Sequence, residues 1–176
     1  MTRNIGTQKL CNRAQCLVCT APEATGRCSD QSVTYQISCM REPCINELDI
    51  LKPTNVPQHP QQPVALYVGE TSRSCFYRGE KHLYSYRHKE HDCSLWRHTV
   101  SHHNSQIGPD RGLKDYKMVK ISSRPKPLDR LTAEGALIKE LEGLQTQGRA
   151  ICLNSKKDFK QSHAVSLNFN MGANSN

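Results

Sequence analysis

Tyr67-Val-Gly-Glu-Thr-Ser-Arg-Ser-Cys-Phe-Tyr-Arg-Gly-Glu-Lys-His82 passes from an apolar run into a basic one. Its first residues close the stretch Val64-Ala-Leu-Tyr-Val68, which reads as a buried strand, and Gly69 lets the backbone turn there. From Thr71 to about His88 there is no proline, so a helix is expected, with Thr71 or Ser72 as its N-cap. On that helix Arg78 and His82 stand four residues apart and share a face. The pair suits an anionic substrate, because a guanidinium forks onto phosphate oxygens and an imidazole can move a proton. Taken alone, the same stretch would also serve as a strand followed by a basic surface helix.

The neighbouring segments supply the rest of an α+β domain. Val33-Thr-Tyr-Gln-Ile-Ser-Cys39 alternates, so that Val33, Tyr35, Ile37 and Cys39 share one face of a half-buried strand. Ser94 to His102 reads as a short helix with Leu95, Trp96 and Val100 inward, and Tyr116 to Ser122 as a third strand. Leu128 to Leu144 is the clearest helix, with Leu131, Leu137, Ile138 and Leu141 at helical spacing, and a short strand, Ala150 to Leu153, follows Gly148. Residues 45–63 hold four prolines, Pro53, Pro57, Pro60 and Pro63, and read as a long exposed insertion. The expected organisation is a Cys-rich segment at 1–31, the α+β domain at 32–160 and a frayed tail at 161–176.

The 176 residues fit one domain with a short appendage, and the net charge of +8 favours a polyanionic partner, nucleic acid before membrane. No apolar run approaches the roughly 18 residues that span a bilayer, and the first ten residues lack the apolar core of a secretory signal. A nuclear or cytoplasmic location is therefore expected, with no membrane partner. In a reducing compartment nine cysteines, six of them between positions 11 and 44, point to metal ligands rather than disulfides. Cys11-x4-Cys16-x2-Cys19-x8-Cys28 has the spacing of a tetrahedral Zn²⁺ site. Cys39 and Cys44, joined by His98 and His102 from one helix face, make a candidate second Zn²⁺ site, with His88 and His91 as competing ligands; solvated histidines on a basic helix are the alternative. Arg73, Lys81, Arg87, Lys89 and Arg97 would add phosphate contacts. Tyr77, Tyr84 and Tyr86 are interleaved among them and could stack on an unpaired base, although burial would use some of them.

With the strand Val33-Thr34-Tyr35 before it, the Tyr67–His82 stretch resembles the two-part signature of the GIY-YIG endonucleases, most of all the endonuclease domains of Penelope-like retroelements. The match continues in family order through Arg78, Glu134 in Arg130-Leu-Thr-Ala-Glu134 and Asn154 in Ile151-Cys-Leu-Asn154-Ser-Lys156, and covers roughly residues 11 to 158. It implies a small three-stranded antiparallel sheet flanked by helices, with Tyr35 and Tyr67 facing each other on neighbouring strands. It also implies roles: a tyrosine that helps to deprotonate water, Arg78 on the scissile phosphate, His82 in proton transfer or in orienting the water, Glu134 as ligand of Mg²⁺ or Mn²⁺, and Asn154 as a late site residue. The implied activity is DNA nicking that primes retroelement integration by target-primed reverse transcription. Its partners would be DNA, a reverse transcriptase domain and element RNA, with the protein a monomer or dimer. The first motif departs from the family, reading Val-Thr-Tyr for Gly-Ile-Tyr, and Tyr35 lies 32 positions before Tyr67. A zinc-stabilised DNA- or RNA-binding module without cleavage is the alternative function. A redox role for the CxxC pair lacks the strand-to-helix placement that such motifs need.

Overall fold

The computed structural model describes residues 11, 13, 16–19, 28–41, 44, 64–103 and 115–154. The insertion at 45–63 and the tail at 161–176 lie outside them. The elements are β1 (Val33–Cys39), β2 (Val64–Thr71), α1 (Cys75–Arg87), α2 (Ser94–His102), β3 (Tyr116–Ser123), α3 (Pro127–Thr146) and β4 (Ala150–Cys152). They form a mixed α+β fold around one sheet of order β3-β1-β2-β4. β1 is antiparallel to both β2 and β3, whereas β4 runs parallel to β2. The expected three-stranded antiparallel sheet is therefore four-stranded and of mixed direction. The chain leaves the far edge at β3, crosses over through α3, turns at Gly148 with φ +70°, and comes back along β2 in the same sense.

Helices cover both faces of the sheet. Val64, Leu66 and Val68 of β2 point one way, into a hydrocarbon cluster with Ile138, Leu141 and Leu144 of α3. Ala65 and Tyr67 point the other way, into a cluster with Tyr35 and Ile37 of β1, Leu83 and Tyr86 of α1, Leu95 of α2 and Leu17 of the Cys-rich segment. Central β1 is consequently buried on both faces and not half-buried: Thr34 and Gln36, the polar members of its alternation, are 0% and 8% exposed. They remain satisfied, Thr34 Oγ1 lying 2.6 Å from Ser122 Oγ and Gln36 Nε2 donating to Ser38 Oγ at 2.9 Å.

α1 begins later than its sequence suggests. β2 continues through Thr71, and Ser74 is the N-cap, its Oγ accepting from the Tyr77 N–H at 3.2 Å. α2 spans its expected residues, yet Val100 faces solvent at 45% exposure, and the inward face is Leu95, His98 and Thr99. That face is partly polar because Thr99 Oγ1 meets Tyr116 Oη at 2.8 Å, and Tyr116 in turn donates to the Leu95 carbonyl. No described helix is long and apolar enough to cross a membrane.

Candidate active site and metal centres

The pairing of β1 with β2 sets Tyr35 opposite Gly69 and Ile37 opposite Tyr67, so the two tyrosines are diagonal neighbours on one face, with ring centroids 6.4 Å apart. A register shift at Thr34/Tyr35 in the pairing with β3 lies beside Tyr35, where such irregularities re-aim a side chain. Gly69 sits within β2, not at a turn. A Cβ built there would lie 2.3 Å from Tyr35 Oη and 2.5 Å from Cζ, so the missing side chain is the space that the Tyr35 ring occupies.

α1 lays Arg78 and His82 over this pair. Arg78 Nε–H donates to Tyr35 Oη at 2.8 Å, and Tyr35 Oη lies 2.8 Å from His82 Nε2. The His82 ring packs edge-on to both tyrosines, with centroids 5.7 Å and 5.1 Å away. Burial pushes His82 down to about 3, and the Arg78 charge adds to the shift. His82 is thus neutral at physiological pH. Burial, then the neighbouring Tyr67, raise the Tyr35 phenol well above its ordinary range despite the opposing pull of Arg78. Burial disfavours the Arg78 charge, but Tyr35 and Tyr67 more than offset this and hold its pKa up. With Arg78 charged, Tyr35 protonated and His82 neutral, the hydrogen bonds have one consistent direction: Arg78 donates to Tyr35, and Tyr35 donates to His82.

Glu134, on the second turn of α3, acts on the same centre through its charge, which adds to the cost of ionising Tyr35. Its helix is anchored by a residue that the sequence reading passed over. Arg130 is 4% exposed; its Nε donates to Glu70 Oε2 at 2.8 Å, and its Nη1 donates to the carbonyls of Arg124 and Pro125. One turn before Glu134, it ties α3 to the Gly-Glu-Thr end of β2. Asn154 grips the backbone of Val68, accepting from its N–H at 2.9 Å and donating to its C=O at 2.6 Å. It fixes β2 at the residue between Tyr67 and Gly69, a positioning role reached through the backbone.

All nine cysteines are free thiols. Among the described residues, two groups of four ligand atoms lie within 4.8 Å of one another: Cys11, Cys16, Cys19 and Cys28, and Cys39, Cys44, His98 and His103. Both groups can hold a metal ion and are compatible with structural zinc. Burial first, and then the crowded neighbouring thiols, push Cys16 up to about 11 and Cys28 further, a penalty that a bound dication would remove. In the second group the S···N separations are 3.4, 3.6 and 3.7 Å and the Nε2···Nε2 separation is 3.2 Å. A tetrahedron with zinc–sulfur and zinc–nitrogen bonds of ordinary length has edges of about 3.5 Å and about 3.3 Å for the same pairs. The residue that closes this group is His103 and not His102. α2 ends at His102, and His103 leaves the helix with φ −128° and ψ 19°, which lets its ring swing to the cysteines; His102 stays exposed, stacked on His98.

Compared with known proteins, the chain matches no family model, no curated protein and no solved structure. The case for function rests on geometry.

That geometry joins the first metal group to the candidate active site. The Cys28 carbonyl accepts from the Phe76 N–H at 2.8 Å and the Asp30 carbonyl from the Cys75 N–H at 2.9 Å, so the Cys-rich segment caps the first turn of α1. Leu17 packs where a Gly79 Cβ would come within 3.4 Å, and its carbonyl accepts from the Met118 N–H of β3 at 3.3 Å. Lys120 of β3 forms an ion pair with Asp30. Of the expected phosphate contacts, Arg73, Lys81, Lys89 and Arg97 are exposed and Arg87 is half-buried. Arg73 lies over the Tyr77 ring at 4.4 Å and Lys89 over Trp96 at 5.5 Å.

Proposed function

We propose that this protein is a metal-dependent DNA endonuclease of GIY-YIG type, in which Arg78, Tyr35 and His82 form the reacting centre. The observation that carries the reading is the directed chain Arg78 Nε–H to Tyr35 Oη–H to His82 Nε2, with both links at 2.8 Å. Tyr35 is closed to solvent, so the step requires the substrate to open the tyrosine pair; a water admitted there gives its proton to Tyr35 Oη as its own oxygen attacks phosphorus. The Tyr35 proton passes to His82 Nε2, and the bond from phosphorus to the leaving oxygen breaks, that oxygen taking a proton from solvent. Burial makes His82 a weak base, and a phosphate paired with Arg78 cancels the smaller of the two causes that depress it, so His82 gains basicity when substrate arrives. Arg78 holds the phosphate and the developing charge.

Glu134 would hold Mg²⁺ or Mn²⁺, which supplies charge neutralisation at the leaving oxygen; a single protein carboxylate with substrate phosphates is an ordinary donor set for such an ion. Zn²⁺ at the two cysteine-containing groups is structural in this reading. Nicking in support of retroelement integration, with a reverse transcriptase domain and element RNA as partners, follows from the resemblance to Penelope-like endonucleases.

The test is zinc-loaded protein with supercoiled plasmid, with and without added Mg²⁺ or Mn²⁺, beside Glu134→Ala. Metal-dependent conversion to nicked circle by the wild type alone supports the proposal. DNA binding with no conversion in either metal would leave a zinc-stabilised binding module.

A further inference from the structure

α1 presents a second face. Arg78 and His82 look toward the sheet, whereas Tyr77, Lys81, Tyr84 and His88 follow one another at spacings of four, three and four, a stripe turned roughly 100° from them about the helix axis. Two of the three large apolar side chains exposed among the described residues lie on this stripe: Tyr77 at 38% and Tyr84 at 58% exposure. The Tyr84 ring is already stacked on His88, with centroids 3.9 Å apart and an interplanar angle of 25°, and His88 Nδ1 lies 2.9 Å from the Tyr84 carbonyl, which fixes the lower ring. One face of Tyr84 is thereby propped and the other left to solvent. Arg73 and Lys81 lie over the Tyr77 ring, 4.4 and 5.9 Å from its centroid, so Tyr84 offers the open ring face.

The stripe borders a groove of about 610 Å³, and charges of both signs line it. Lys81 and Arg87 line it together with two carboxylates, Glu80 and Glu90, while Arg73 and Lys89 extend the cationic border to either side of the stripe. Carboxylates in the groove repel a phosphate but accept from the exocyclic amino groups of bases. Carboxylate acceptors beside a propped aromatic ring fit an unpaired base, and the cations among and around them fit its phosphates. A fully stacked duplex offers no such base.

We infer that the Tyr77–Tyr84 face of α1 is a stacking platform for an unpaired strand of DNA next to the scissile phosphate, so that the substrate of the proposed nuclease is duplex DNA with a single-stranded bubble or flap. The inference rests on the proposed function for the phosphate at Arg78. Tyr77 adjoins Arg78 in the chain, and Tyr84 lies about 9 Å beyond Arg78 along the helix, a reach of one to two nucleotides. Base stacking on an aromatic ring is worth about 1–3 kcal/mol per base.

The test compares a fluorescein-labelled duplex with the same duplex carrying an unpaired stretch that contains 2-aminopurine, for the wild type, Tyr84→Ala and Tyr84→Phe. Zinc content and circular dichroism check that each variant is folded. The wild type should bind the unpaired substrate about tenfold more tightly than the duplex and quench 2-aminopurine. Tyr84→Ala should lose that preference and the quenching while keeping duplex affinity, and Tyr84→Phe should retain both. Equal affinity of the wild type for both DNAs, or an equal loss on both in Tyr84→Ala, would overturn the platform. Cleavage read in parallel separates the two proposals: nicking without a Tyr84-dependent preference leaves the nuclease and removes the platform, and a Tyr84-dependent preference without nicking does the reverse.

Discussion

The two faces of β2 carry different kinds of work. Val64, Leu66 and Val68 lean on Ile138, Leu141 and Leu144, a hydrocarbon layer that gives way at the Glu70 end of β2 to the Arg130–Glu70 ion pair. One residue along in each case, Ala65, Tyr67 and Gly69 face tyrosine, histidine, arginine and two groups of metal-ligating side chains. The first face is stabilised by apolar burial, which is non-directional and tolerant of shape. The second spends its interior on polar groups that must be held at fixed distances; backbone caps from Cys28 and Asp30 help to hold them, and its two Cys-containing ligand sets are compatible with structural zinc. A small domain can thus keep a reactive, half-polar interior if metal ligation replaces part of the missing hydrophobic core.

The largest effect that could break this contrast is loss of a metal group. Cys28→Ser should remove one zinc per chain by metal analysis, uncap the first turn of α1 and abolish the cooperative thermal transition of the site face. His103→Ala should remove the other zinc, and His102→Ala neither. If the zinc-free protein kept its near-ultraviolet tyrosine signal and its transition, the site face would not depend on metal. On the hydrocarbon face, Leu141→Ala should cost about 2–5 kcal/mol in urea unfolding while leaving both zinc ions bound; zinc loss there would merge the two faces into one unit. Gly69→Ala should cost about 1–3 kcal/mol and reduce cleavage more than tenfold, because the new methyl displaces Tyr35 from between Arg78 and His82. Wild-type activity in that variant would show that the Tyr35 position is soft.

The last effect is a pH dependence, spread over several pH units. His82 ionises at about 3 in the fold against 6.5 in the unfolded chain, so between these values the unfolded state binds more protons. The stabilisation from keeping His82 neutral is complete above about pH 6.5, declines as pH falls and is gone near pH 3. Urea midpoints measured between pH 7 and pH 4 should fall less steeply in His82→Gln than in the wild type. Equal slopes would mean that His82 is solvated in the fold.

Local pattern made much of this legible. Alternation in Val33–Cys39, helical spacing after Leu128 and the tight Cys11–Cys28 series each depend on near neighbours in the chain, and each element formed close to where its residues put it. What the sequence did not disclose was set by distant partners. Thr34 and Gln36 look solvent-facing until α3 is known to cover them. Val100 looks inward until His98 and Thr99 take the inward face of α2. His102 and His103 are adjacent and chemically identical, and the choice between them turned on where α2 ends. The reason for Gly69 became visible only with Tyr35 above it, and Arg130 only with Glu70 as its partner.

The most direct test of the central claim is plasmid nicking by the wild type and Arg78→Ala, with both preparations shown to carry two zinc ions and to bind DNA. Arg78→Ala removes the donor to Tyr35 and the clamp on the phosphate without touching a zinc ligand. The account predicts nicking in Mg²⁺ by the wild type and at least a hundredfold loss in the variant. Zinc-replete wild type that binds DNA and leaves it intact in both Mg²⁺ and Mn²⁺, or an Arg78→Ala variant that nicks at the wild-type rate, would contradict it.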